Sequence, residues 1–416
     1  MPAFSDLFRT FARIGLLSFG GPAAQIAVMH RELVETRAWL SEKQFLGALS
    51  FTMLLPGPEA MQLATWAGWK LGGTRAGLMA GLLFVLPGAL VIAALALAYL
   101  AWGDVPGVAA AFLGIKAAVV IVVLQALFRL SRKALKRRAD WAIAGLAFVG
   151  IFALNLPFPL IIVAAALAGA WVGPPSPPTP APPTQPDWAA TARSLLIWTN
   201  LWALPLLLCW LAGATFLTEI ALFFAKLAVV TFGGAYAVLG YMAQAVVETH
   251  HWLTPDEMID ALGLAETTPG PLILVTEFTA TLAGAKAGGI GLGLAAGALS
   301  LWMTFVPCFL WIFACAPHLE RLLAAPRLAG ALAAITAAVT GVILNLSLWF
   351  ALHVLFSRVD EGGALPRPDL TSLDPVALAL ILLAALLLLV ARLDLLRGLA
   401  VMAAASWLLS GAVTGI

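Results

Sequence analysis

Few residues in this 416-residue chain could do chemistry, and most of them cluster around two recurring motifs. LLSFGGPAAQIAVM (16–29) and VVTFGGAYAVLGYM (229–242) each set a glycine pair inside an apolar run. LLPGPEAMQLA (54–64) and TTPGPLILVTEF (267–278) each carry Pro-Gly-Pro. Glycine lets the chain turn, and proline suits the first position of a new helix because its missing N–H would be unpaired there in any case. Pro22 therefore begins a half-helix reaching about Val34, Pro58 begins another, and Pro271 a third. The free N–H groups of such an end, with about half a positive charge, make an anion site without a formal cation. The candidate anion ligands are Gly20, Gly21, Pro22, Pro56, Gly57 and Pro58, with Gly233, Gly234, Pro269, Gly270 and Pro271 in the second copy. Ser18 and Thr231 precede the glycine pairs and offer hydroxyls, and Gln25 and Gln62 lie one turn inside the new helices.

The ionisable candidates are sparser. Lys116, in FLGIKAAVVIVV, sits midway along an apolar span, where a charge costs about 2.5–3.5 kcal/mol. It must face the protein interior, either pairing with an acid or offering its charge to an anion. Glu59 and Glu266 flank the two Pro-Gly-Pro motifs and Glu277 lies within TEF. Each is a candidate proton carrier, because burial favours the neutral carboxyl, and each could instead cap a helix or pair with Lys116. His250-His251 has no third metal ligand nearby and reads as a solvated loop. Cys209, Cys308 and Cys315 show no metal spacing and read as small buried hydrophobes. No HExxH, GxSxG or paired nucleophile and base is present, so neither an enzyme nor a bound cofactor or metal is expected.

These residues must be positioned by helices in lipid. The chain is 62% hydrophobic and 11% charged, too apolar for a soluble shell, and many runs reach the ~20 residues that cross a ~30 Å hydrocarbon core. Continuous apolar runs, not alternating ones, exclude a β-barrel. A net charge of +2 gives no reason for a nucleic-acid partner. Arg9 and Arg13 interrupt the first apolar stretch, which reads as an amphipathic half-helix and not as a cleaved signal.

Residues 11–58 align with 224–271 at a constant offset of 213, with seventeen identities in 48 positions. FGG, ET, WL and PGP match in register, which shared hydrophobicity does not explain, so the chain is an internal repeat. Each half offers six hydrophobic elements, near 5–36, 41–70, 76–101, 107–130, 140–154 and 156–172, and near 216–247, 255–284, 286–316, 328–356, 375–391 and 394–413. The expected organisation is a first repeat (1–172), a proline-rich linker (173–193), a connecting transmembrane helix (194–213) and a second repeat (214–416). Eight prolines in residues 174–186 make the linker stiff and solvated.

An even number of crossings per half plus one extra crossing delivers the second half upside down. SRKALKRR (131–138) has five basic residues and no acid, whereas its counterpart SRVDEGGALPRPD (357–369) has three acids and two arginines, as the positive-inside rule requires of inverted halves. The expected fold is an all-α polytopic membrane protein of two homologous multi-helix halves in inverted topology, with broken or re-entrant helices. In lipid, an unpaired peptide group survives only against protein or a water-filled cavity, so breaks at mid-membrane mark a transport path. HRELVETRAWLSEKQF (30–45) and ETHHWLTPDEM (248–258) read as interfacial turns with helix caps.

FARIGLLSFGGPAAQIAVM, ELVETRAWLSEKQF, LLPGPEAMQLATWAGW and GLLFVLPG, with FAKLAVVTFGGAYAVLGYM and AETTPGPLILVTEF, closely resemble the chromate ion transporter (CHR) family, in its long, two-domain form. The resemblance implies a multi-pass inner-membrane protein that exports chromate, driven by the proton motive force as an antiporter, and so confers chromate resistance. It maps the family's motifs onto Gly20-Gly21-Pro22 and Pro56-Gly57-Pro58. The second copy departs at Ala235, where a proline would mirror Pro22, which favours an asymmetric site biased to the first half. Partners on this reading are a chromate- or sulfate-like oxyanion and membrane lipid, with a homodimer left open. A site of helix ends and one lysine discriminates little among tetrahedral oxyanions, so a sulfate or other oxyanion carrier, or a channel, stands as the alternative.

Overall fold

The computed structural model describes residues 2–19, 21–103, 105–173, 188–232, 235–319, 322, 325–360 and 365–414. Gly20, Gly233, Gly234 and residues 174–187 of the linker lie outside the described residues. The first repeat contains α1 (Phe4–Leu17), α2 (Gly21–His30) continuing into a π-helical turn (Arg31–Thr36), α3 (Glu42–Thr52), α4 (Glu59–Trp102), α5 (Pro106–Ala134), α6 (Arg138–Phe152) and α7 (Phe158–Val172). After α8 (Trp188–Leu211) the series returns as α9 (Thr215–Val230), α10 (Ala235–Gln244) with its π-helical turn (Ala245–Thr249), α11 (Pro255–Thr267), α12 (Val275–Gly288), α13 (Ile290–Cys315), α14 (Pro326–Leu355), α15 (Pro375–Ala385) and α16 (Leu395–Thr414). Among the described residues, five helices are long and apolar enough to cross a membrane, and three shorter apolar helices accompany them. The chain is a multi-pass helical membrane protein with two repeated halves.

The repetition extends to backbone detail. Trp39 and Trp252 donate their amides to Leu33 O and Val246 O, both at 2.9 Å, closing the two π-helical turns. The residues before them, Ala38 (φ 49°) and His251 (φ 52°), are both left-handed. Ser41 and Gln44 then form a capping box for α3, and Thr254 with Glu257 caps α11 the same way. The connection between α6 and α7 also has its double. Leu156 N bonds Gly150 O at 2.9 Å past left-handed Asn155, and Leu393 N bonds Leu387 O at 3.0 Å past left-handed Arg392.

Gly72 and Gly73 break α4 (φ −153° and +73°) into a short arm and a long one, and Gly289 (φ +87°) separates α12 from α13 in the same way. From here the repeats align at an offset of 216, with eleven identities between residues 65–83 and 281–299. Three residues have been added between, and they are the 3₁₀ turn Leu272–Leu274 directly after the second Pro-Gly-Pro. Glycines let the two arms of each hairpin touch. Gly77 sits 3.0 Å from Thr65 O, and its counterpart Gly293 sits 2.6 Å from Thr281 O, both measured from where a Cβ would stand. Apolar side chains gain nothing by leaving lipid for protein, so close approach of small residues holds such helices together.

The chain forms two compact units that cut across the repeats, Met1–Ala94 with Ala166–Val238 and Thr268–Ala333, and Leu95–Ala165 with Leu239–Thr267 and Ala334–Ile416. The first unit holds both sets of helix breaks and the hairpins. α8 lies on its lipid side with no buried residue. Trp202 donates to Met303 O at 3.1 Å and Trp302 to Leu201 O at 3.0 Å, which pins α8 to α13. The second unit is built around α5, where Ala117, Ala118, Ile121 and Val122 pack on Leu380 and Ala384 of α15 and Met402 of α16. Of the cysteines, Cys308 is buried and Cys209 and Cys315 are half-buried, all three free.

Candidate functional site

The breaks in the first unit are geometric copies of each other. α1 ends at Leu17 and Ser18 turns away (φ −83°, ψ 73°). α9 ends at Val230 and Thr231 does the same (φ −77°, ψ 90°). Ser18 Oγ donates to Ile14 O and Thr231 Oγ1 to Leu227 O, each at 2.6 Å. The hydroxyls expected to face a ligand instead satisfy carbonyls one turn back, which a helix end leaves open. The carbonyls of the same two residues reach further. Gly270 N donates to Ser18 O at 2.8 Å, and Gly57 N donates to Thr231 O at 2.7 Å. Each Pro-Gly-Pro loop is thus tied to the glycine break of the other repeat, and the pair of bonds is self-complementary, as a two-fold relation between the copies requires.

The two motifs differ in how much room they leave. Gly57 (φ +116°) and Gly270 (φ +88°) adopt conformations that L side chains avoid. A Cβ at Gly57 would stand 2.8 Å from Cys308 Sγ and 2.9 Å from Gln62 Nε2. One at Gly270 would stand 3.1 Å from Leu274 Cδ1 and 3.3 Å from Phe84 O. Those loops, with Pro56, Pro58, Pro269 and Pro271 buried on either side, are closed. Gly21 (φ +79°), which opens α2 ahead of Pro22, is different, since a Cβ there meets nothing within 4 Å. Gly21 is half-buried, and its side-chain position is open.

The two glutamines are oriented by the loops. Gln25 Nε2 donates to Gly270 O at 2.7 Å and Gln62 Nε2 to Pro56 O at 2.6 Å. Both Oε1 atoms are buried without a partner. The open valence at each is therefore an acceptor, whereas an anion ligand was expected to be a donor. A buried unpaired acceptor costs about 1–3 kcal/mol, so each calls for a donor from a water or a ligand hydroxyl.

Among the acids, Glu277 stands out. It lies in the first turn of α12, 5% exposed, with Oε2 buried and unpartnered. At the offset of 216 its counterpart is Met61, so the acid belongs to one copy only. Glu266, buried one turn before the second Pro-Gly-Pro, and half-buried Glu59, at the start of α4, both make contacts within the protein.

Lys116 belongs to the second unit, where it is ion-paired. Its Nζ lies 2.6 Å from Asp256 Oδ1 and 3.6 Å from Asp260 Oδ1, and Tyr99 donates its hydroxyl to Asp260 Oδ2 at 2.8 Å. Of the two roles expected for this lysine, pairing with an acid is the one the structure displays. Its partners are two aspartates one turn apart at the start of α11, and none of the three glutamates. The signal was the spacing in PDEMID, which places Asp256 and Asp260 on one helical face. Also unforeseen is buried Glu32, held by Arg37 at 2.9 Å and Arg13 at 3.4 Å. His250 stacks on Trp252 at 4.3 Å, and no cluster of metal-ligating side chains occurs among the described residues.

The chain is similar to known proteins over most of its length. The chain matches the family model described as chromate transporter over residues 5–170 and 218–414, the two halves of the repeat. It is 31% identical over 399 residues to a probable chromate transport protein of Synechococcus elongatus, covering 90% of this chain and 95% of that protein. It is 30% identical over 350 residues to a chromate transport protein of Cupriavidus metallidurans, covering 81% and 80%. A transporter of Bacillus subtilis, YwrA, is 28% identical over 172 residues, which is 40% of this chain and 96% of that one. No solved structure matches.

Proposed function

Since the chain belongs to the chromate transporter family, we propose that it is a secondary carrier that exports chromate across the inner membrane, driven by the proton motive force, and so confers chromate resistance. No catalytic step is assigned to it. The two repeats are taken to lie inverted in the bilayer, the extra helix α8 turning the second over, and to rock about the breaks. The observation that carries the reading is the contrast between the closed Pro-Gly-Pro loops and the open space at Gly21, at a helix end in an apolar chain. Backbone N–H groups at the start of α2 supply the anion contacts, with Gly21 and Pro22 lining the path, and the second break, lacking a proline at Ala235, contributes less.

Glu277 is the acid suited to carry the coupling proton. It is buried, it has no cation beside it, and it stands at the head of the helix that follows a break. A carboxyl in such a place exchanges protons with far less cost than it would hold a bare charge.

Chromate uptake into inside-out vesicles tests this reading. Uptake should require the protein, speed up when the lumen is acidified, and collapse with a protonophore. Uptake indifferent to the pH gradient would remove proton coupling, and equal uptake of labelled sulfate would remove chromate as the preferred cargo.

A further inference from the structure

α8 (Trp188–Leu211) belongs to neither repeat, and its two long faces are unequally answered. One face packs on α13. Trp198 sets its ring against Phe309 and Phe313 at centroid distances of 5.6 and 5.3 Å, and Trp202 donates its indole N–H to Met303 O at 3.1 Å. Pro205 has no N–H for the carbonyl four residues before it, and Trp302 answers that carbonyl instead, donating to Leu201 O at 3.0 Å. Trp198, Trp202, Pro205 and Cys209, all half-buried, form a seam in which steps of four and three residues alternate.

The opposite face carries a second seam of the same spacing, Leu196, Asn200, Ala203, Leu207 and Trp210, and every one of these residues is exposed. Asn200 stands midway along α8, seven residues and so about 10 Å inside Arg193, the helix's one charged residue. It donates one amide hydrogen to Leu196 O at 2.7 Å, which leaves its oxygen and its second amide hydrogen without a partner among the described residues. In hydrocarbon no water completes such a group, and membrane helices answer it with a polar side chain from a neighbouring helix.

A second copy of the chain supplies the matching group. A two-fold axis along the seam sets Asn200 against its own copy, each carboxamide donating to and accepting from the other, so the contact is self-complementary. The 3.5-residue repeat is the pattern by which two helices pair at a shallow angle, and one asparagine in such a seam fixes register and pairing. Ala203, one turn away, lets the two backbones approach closely.

We propose that α8 is a homodimer interface, two copies packing through Leu196, Asn200, Ala203, Leu207 and Trp210 with a carboxamide pair at Asn200. The interface goes beyond the carrier reading and needs neither the oxyanion path nor proton coupling.

Cysteine cross-linking in native membranes tests the geometry, with the full-length protein carrying Cys209→Ser. Ala203→Cys should give an oxidised band at twice the monomer mass. Leu208→Cys, exposed as well but about 140° further round the helix, should give none. Dilution of fluorescently labelled protein in lipid vesicles measures the strength. Asn200→Leu should raise the dissociation constant about tenfold, and Asn200→Gln, which keeps the carboxamide, should stay within about threefold of wild type. A protein that is monomeric at every protein-to-lipid ratio overturns the proposal. So does an Asn200→Leu protein that associates as tightly as wild type, equal cross-linking at Ala203→Cys and Leu208→Cys, or cross-linking to a different protein in place of the dimer. None of these readouts measures transport, so this proposal and the carrier reading fail separately.

Discussion

The amide of Gly57 reaches Thr231 O at 2.7 Å, joining a loop of one repeat to the helix break of the other. A side chain at Gly57 has no place to go, since the backbone is at φ +116° and Cys308 Sγ fills the adjacent space. Gly57→Ala should cost about 2–5 kcal/mol, combining about 1–2 for left-handed backbone with about 1–3 for overpacking. Gly270→Ala should cost less, about 1–3 kcal/mol, because its backbone is left-handed too (φ +88°) but the nearest atom, Leu274 Cδ1 at 3.1 Å, is a side-chain end that can give. Chemical denaturation of the purified variants measures both, and a loss below 1 kcal/mol in either would show the loops to be looser than the geometry requires.

Gly21 presents the opposite case. Its Cβ space is open, so Gly21→Ala should show only the backbone cost, about 1 kcal/mol, with transport retained. Gly21→Leu should reach the membrane in normal amount and lose transport, because the added side chain occupies the ligand's space. Immunoblots of membranes beside chromate uptake separate the two effects. Wild-type uptake by Gly21→Leu would move the path elsewhere.

Lys116 sits between two acids, so its removal leaves them facing each other. Lys116→Met should destabilise by about 1–3 kcal/mol, chiefly because it leaves Asp260 buried without its cation, since Asp256 is largely exposed. Adding Asp260→Asn should restore more than half of that. If the double variant regains stability but not transport, the lysine serves the cargo as well as the ion pair. Recovery of both would confine it to structure.

Glu277→Gln should keep exchange of chromate across vesicles while removing its response to a pH gradient. Gln keeps the size and loses the exchangeable proton. Glu59→Gln and Glu266→Gln should leave the gradient response in place. A Glu277→Gln protein still driven by the gradient would assign coupling to another group.

His30 lies outside the membrane-length helices, and its pKa is raised above 6.5, chiefly by its hydrogen bond to Glu42 and further by Glu35. A group whose folded pKa is raised contributes stability that is complete below its unfolded value and is lost as pH climbs through the folded one. The thermal midpoint should therefore fall as pH rises from about 6 toward 8, and Glu42→Gln should flatten that slope. Both partners are largely solvated, so the effect stays under about 1 kcal/mol and shrinks with salt.

Periodicity and motif made the architecture legible. The apolar runs, the glycine and proline punctuation and the 213-residue offset placed all six elements of each half, because helix breaks in lipid demand special residues that stand out in an apolar chain. The chemistry at the breaks was less legible. Ser18, Thr231, Gln25 and Gln62 were recognisable as polar groups near helix ends, but Ser18 and Thr231 turn their hydroxyls onto carbonyls one turn back, Gln62 turns its amide onto nearby Pro56 O, and Gln25 alone is directed by a distant segment, at Gly270 O. The partners of Lys116 come from the other repeat, 140 residues along the chain, so neither composition nor local spacing around the lysine names them.

Leu272–Leu274 has a consequence for the direction of transport. A carrier assembled from matched, oppositely facing copies meets the same barrier from either side of the membrane. Three added residues directly after the second Pro-Gly-Pro end that equivalence, and three residues beyond them the chain carries an acid where its twin carries a methionine. On the inverted arrangement proposed above, that short insertion, together with Ala235 in place of a second Pro22, is where to look for what lets one face release cargo that the other face captures.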